Sequence, residues 1–143
     1  MTPTVPELLT GNFLCLSEPP PPESSGDFLQ ARIGVTGMIA LLCAQEAERG
    51  TAARVWENGA IREVLAGAAG TYGPGFADAA KGADSDLSLT ALDLANAALR
   101  RALIALHIAV ETARDAVLDS AIRDLYVRMA NARRLDLPPL PAS

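Results

Sequence analysis

The sequence predicts an all-α fold, a bundle of about four main helices with a proline-rich N-terminal arm that has room for a short extra helix. Three observations carry this. Alanine, the strongest helix former and small enough for close packing, supplies 27 of 143 residues. Aromatic residues make up only 4% of the chain, and no stretch alternates aromatic and β-branched side chains as strands prefer. In the long segments, apolar positions recur at three- and four-residue spacing.

Residues 1–25 form the arm. Pro3, Pro6 and the run Pro19, Pro20, Pro21, Pro22 favour extended, polyproline-like backbone. Between them Leu8, Leu9, Phe13, Leu14 and Leu16 suit a short helix with Pro6 in its first turn, clasping the body of the protein. The tetraproline lies between Glu18 and Glu23 rather than beside a basic residue, so it reads as a stiff connector and not as a recognition motif.

Residues 26–137 read as one helical domain, followed by a proline-rich tail at 138–143. A helix is predicted over 27–49, capped by Ser24 or Ser25 and closed by Gly50. Its middle, with Ile33, Val35, Met38, Ile39, Leu41, Leu42 and Cys43, is apolar on nearly every side, which predicts burial at the centre of the bundle. Gly34 and Gly37 there imply close approach of another helix. A second helix is predicted over 51–69, with Thr51 as its cap and only a residue or two linking it to the first, so that the two form a hairpin. Ala53, Trp56, Ala60, Ile61, Val64, Leu65 and Ala68 make its apolar face. Arg54, Glu57, Asn58, Arg62 and Glu63 fall mainly on the other side.

Residues 70–86, opening on Gly70 and closing on Asp86, read as an irregular loop rich in Gly and Ala. Residues 88–135 contain no Gly or Pro. Leu92, Leu99, Ala102, Leu106, Ala109, Val110, Ala113 and Val117 share one stripe; Asp93, Asn96, Arg100, His107, Glu111 and Arg114 share the opposite one. Beyond Val117 the apolar stripe moves across the wheel to Leu118, Ile122, Leu125 and Met129. Either the chain breaks near 115–120, with Asp119 and Ser120 as competent caps, or one long helix changes partners there. The two-helix alternative is favoured.

Several function classes are disfavoured. A net charge of −5 repels phosphate backbones, and six scattered aromatics make no stacking platform, so no nucleic-acid partner is expected. The apolar run 38–44 falls far short of the roughly 20 residues of a membrane span. The first basic residue is Arg32, so no secretory leader is read, and the chain is expected to be cytoplasmic with Cys15 and Cys43 as free thiols. Cys43, inside Leu-Leu-Cys-Ala, is expected to be buried and inert.

His107, the only histidine, heads a ladder of Glu111, Asp115 and Asp119 on a continuous helix. One His without paired ligand motifs argues for a solvated face, with no metal and no cofactor. No nucleophile elbow accompanies His107, so no catalytic residue is assigned. The stretch Gly70-Thr-Tyr-Gly-Pro-Gly75 lacks the lysine and the preceding strand of a phosphate loop. Arg123, Arg128, Arg133 and Arg134 suit the C-terminal end of a helix dipole or an acidic partner.

The sequence thus reads as a non-catalytic helical interaction or accessory protein, with a protein partner or a second copy of itself. The stripe shift near Val117 motivates a dimer through 88–135. The alternative is a small-molecule-binding helical domain or enzyme, its ligand between helices or under the 70–86 loop.

Overall fold

The computed structural model describes residues 5–17 and 26–139, with five helices and no strand among them. These are α1 (Val5–Ser17), α2 (Asp27–Tyr72), α3 (Pro74–Ala79), α4 (Leu89–Ala113) and α5 (Ala116–Ala132). The all-α class stands. The tetraproline and the last four residues lie outside the described residues. The chain groups into two compact units, Met1–Gly50 with Leu135–Ser143, and Thr51–Arg134.

The expected hairpin at Gly50 is corrected: α2 is one helix of 46 residues. A glycine ends a helix by turning left-handed, which costs other residues more. The glycines with positive φ are Gly73 and Gly82, not Gly50. Alanines on both sides sustain the helix through it. Gly73, at φ 116°, is where α2 stops, and Pro74 opens α3 at once. Residues 70–86 are therefore the end of α2, a turn and α3, and only the stretch after α3 is irregular.

In the first unit, α1 forms as expected and lies on α2. A side chain at Gly37 would meet Leu16 Cβ at 3.4 Å and Phe13 Cδ2 at 3.5 Å, whereas Gly34 faces open space. Close approach thus explains one of the two glycines. Phe13, Ala40, Leu41 and Ala44 are buried. Uniform burial of this part of α2 is corrected: Val35, Ile39 and Leu42 are each more than half exposed, and Cys43 is exposed as well. Among the described residues only one side of the helix is covered, by α1 and the tail. The tail docks here too, Arg49 Nη1 meeting Asp136 Oδ2 at 2.7 Å and Gln45 bonding Asp136 backbone.

In the second unit, Ile61, Leu65 and Ala68 of α2 pack with Leu99, Leu103, Leu106 and Val110 of α4 and Ile122, Leu125 and Met129 of α5. Ser88 caps α4 by accepting from Ala91 N. The 88–135 segment does break, but earlier than Asp119: Arg114 takes a left-handed conformation at φ 57°, and Asp115 caps α5 by accepting from Leu118 N at 3.1 Å. This break accounts for the stripe shift. Folding back turns Ile122, Leu125 and Met129 onto the same core as Leu99 and Leu106. Val117, counted in the first stripe, lies beside the bend and is 84% exposed. Trp56, read as core, is 38% exposed.

Candidate functional site

Two polar clusters join helices of the second unit. The first corrects the outward placing of the α2 polar face: Arg54, Glu57 and Asn58 are buried. Positions 54, 57 and 58 share one side of α2, and 93, 96 and 100 share one side of α4. These two polar sides face each other. The Glu57 carboxylate, wholly buried, accepts from Asn96 Nδ2 at 2.9 Å and Arg100 Nε at 2.6 Å. It also accepts from Arg133 Nε at 3.0 Å. Asn96 Nδ2 reaches Asn58 Oδ1 at 2.9 Å as well. Arg54 Nε meets Asp93 at 2.6 Å, and Arg62 grips Asp84 with two bonds of 3.0 and 2.8 Å. Burial pushes the Glu57 carboxyl up, but the bonds from Asn96 and Arg100 and the charges of Arg133 and Arg100 prevail and hold it below its ordinary value. Asp84 is lowered chiefly by Arg62. Arg133 therefore holds a buried carboxylate rather than serving a helix dipole alone.

The second cluster is centred on His107. The solvated-face reading of this residue is corrected: its side chain is only 16% exposed. The break at Arg114 folds α5 back so that His107 Nε2 lies 2.8 Å from Asp119 Oδ1. Tyr126 Oη stands 3.4 Å from Nδ1. Glu111, one turn along α4, stands 3.8 Å from Nε2. Arg123 donates to Asp119 Oδ2 at 2.9 Å and to Glu111 Oε1 at 3.2 Å. These bonds hold the Asp119 carboxyl low, Arg123 contributing first and His107 next. Asp115 belongs to a neighbouring pair, accepting from Tyr72 Oη at 2.9 Å.

His107, Glu111 and Asp119 each offer a ligand atom within 4.8 Å of the others. The distance suits a divalent cation, but the Arg123 guanidinium already supplies positive charge to both carboxylates. A metal would have to displace it. Among the described residues no Ser, Thr or Cys side chain bonds to the His107–Asp119 pair; the other His107 nitrogen meets the Tyr126 hydroxyl. Cys15 and Cys43, whose thiols could in principle bind a metal, belong to the first unit. A cavity of about 320 Å³ adjoins the cluster, lined by Val110, Glu111, Arg114, Asp115, Ala116 and Asp119.

A larger groove of about 600 Å³ lies within the first unit, between α1, α2 and the tail, with Leu14, Leu41 and Leu137 in its wall. Neither space is lined by residues 70–86. Among the described residues no helix is long and apolar enough to cross a membrane.

The outer side of α4 is of another kind. Leu94 is 73% exposed, Ile104 54% and Ile108 60%. Ala97, Ala98, Arg101, Ala105 and Thr112 beside them are exposed too. At 100° per residue all eight lie within roughly 60° of one line, over ~27 Å of helix. The sequence reading named the inner stripe of this helix and missed the outer one. Its signal was already present, because Leu94, Ile104 and Ile108 do not fit the inner phase.

The features thus define a helical protein with internally neutralised polar clusters and an apolar outer helix face. No protein family, curated protein or solved structure matches this chain.

Proposed function

We propose that this chain is a non-catalytic helical interaction protein whose contact surface is the outer face of α4. The observation that carries the reading is the exposed line of Leu94, Ile104 and Ile108. Scattered exposed leucines are ordinary, whereas a contiguous apolar line is characteristic of a contact surface. The non-catalytic part is supported by the chemistry of the clusters, where Glu57, Asp84 and Asp119 each serve an arginine. Two exposed free cysteines suit the reducing cytoplasm. A photo-crosslinking amino acid at position 104, activated in cells, tests the surface. A discrete protein adduct is expected, and no adduct at 104 or 108 would refute the reading. Ile104→Ser should weaken the contact read by a crosslinker at position 108 while leaving the helical signal unchanged, because the side chain is more than half exposed on its own chain.

A second reading, a small-molecule binder, rests on the groove of the first unit. Its apolar wall, with Leu14, Leu41 and Leu137, suits an apolar small molecule. Native mass spectrometry of the purified protein should then find an added mass, lost on Leu41→Arg.

A further inference from the structure

We infer that the occupant of the α4 face is a second copy of this chain, packed antiparallel so that Ile104 meets Ile108 of the second copy and Arg101 meets Glu111 of the second copy. This rests on the α4 reading above and names the partner.

Charge carries the choice. Seven of the eight side chains along the face are uncharged, and the eighth, Arg101, stands exposed in the middle. Among the described residues no carboxylate of its own chain pairs with it. A partner that brings a carboxylate to that point together with an apolar helix complements the face in both charge and polarity. The second copy brings both. Glu111 lies on the flank of the same face, roughly 80° round the helix from Arg101, and its side chain is 53% exposed.

Symmetry then sets the register. In a two-fold contact, if one residue meets another, the second meets the first in return. An antiparallel pair of α4 helices crossing at the height of Leu106 satisfies both contacts together, because Ile104 and Ile108 are centred there and so are Arg101 and Glu111. Each dimer thus gains the apolar centre and two rim ion pairs. Ala97, Ala98 and Ala105 are small enough to let the helix axes approach closely. Elsewhere the net charge of −5 disfavours self-contact, so the uncharged line and its complementary rim decide where copies can meet. Glu111 would then stand between Arg123 of its own chain and Arg101 of the other.

Sedimentation equilibrium of the full chain tests this, with Arg101→Glu, Glu111→Arg, the double variant and Ile104→Asp. The wild type is expected to dimerise. Each single charge reversal should weaken the dimer roughly tenfold or more, and the double variant should recover most of that loss. Ile104→Asp should give a monomer with unchanged helicity. Circular dichroism melts check that Glu111→Arg, which also loses Arg123, still folds; Arg101→Glu breaks no ion pair among the described residues. A wild type that stays monomeric overturns the inference, and an adduct at position 104 to some other protein would then leave the contact reading standing. Dimers indifferent to Ile104→Asp overturn both the face and the inference. Dimers that Ile104→Asp breaks, but that the double charge reversal does not restore, overturn the register.

Discussion

Glu57 is a charged residue with no exposed surface. Its carboxylate is buried among Asn96, Arg100 and Arg133. Glu57→Ala leaves the buried Asn96 amide short of an acceptor, while Arg100 and Arg133, each more than a third exposed, turn to water, so it should cost about 1–3 kcal/mol in urea denaturation. The acid limb of stability belongs to the same groups. Glu57, Asp84 and Asp119 are all held below their ordinary values in the folded chain. A lowered carboxyl contributes stability that is complete above the unfolded value, about 4, and is lost as the pH falls through the folded value. The melting temperature should hold from neutrality to about pH 5 and fall steeply below. Asp84→Asn should flatten that fall; an unchanged acid limb would show that Asp84 does not contribute. Glu57 was visible in the sequence only as a polar residue on a polar face. The signal for its burial was a second face, Asp93, Asn96 and Arg100, with matching spacing and charge. Assigning each face to solvent by itself concealed the match.

Helix ends depend on backbone chemistry that the residue list conveys unevenly. Gly73 before Pro74 breaks the chain as glycine and proline should. Gly50 does not break it, because a glycine permits a left-handed turn without requiring one. At Arg114 the reverse holds: an ordinary residue takes the left-handed conformation. That conformation costs a non-glycine residue about 1–2 kcal/mol, partly offset in the comparison by glycine's freer unfolded chain. Arg114→Gly should therefore stabilise the protein by up to about 1 kcal/mol, read as a raised urea midpoint with unchanged slope. Asp115, the cap of α5, was legible as a ligand candidate but not as a cap, since a cap declares itself only once the chain has turned. The same turn brings Asp119 onto His107, which a continuous helix would have kept apart.

At the scale of the whole molecule, the break at Arg114 changes what the 88–135 segment requires of a partner. With α5 folded back, Leu125 is fully buried in the core of its own unit. Leu125→Asp should unfold the second unit, with loss of helical signal. Leu125→Ala should cost about 2–5 kcal/mol. A dimer lost without unfolding in Leu125→Asp would show that the core is instead shared between chains. On α4 the apolar surface open to a second copy is the exposed face of Leu94, Ile104 and Ile108. Elemental analysis after dialysis should find no stoichiometric metal, since Arg123 already neutralises the carboxylates beside His107. One equivalent of zinc or iron would overturn that.

The sequence by itself determined that the chain is helical and which side chains lie in phase within each helix. Alanine content and 3.6-residue spacing are local properties, set by backbone sterics and independent of what lies opposite. Tertiary structure decided which face is inside. An apolar face is buried only if another element covers it, and a polar face is buried only if its complement covers it. Val35 and Ile39 are thus exposed although they read as core, and Glu57 is buried although it read as surface. Where along a sequence without Gly or Pro the chain reverses is also a tertiary matter, because the core formed by Ile122, Leu125 and Met129 on Leu99 and Leu106 compensates the strained residue at Arg114.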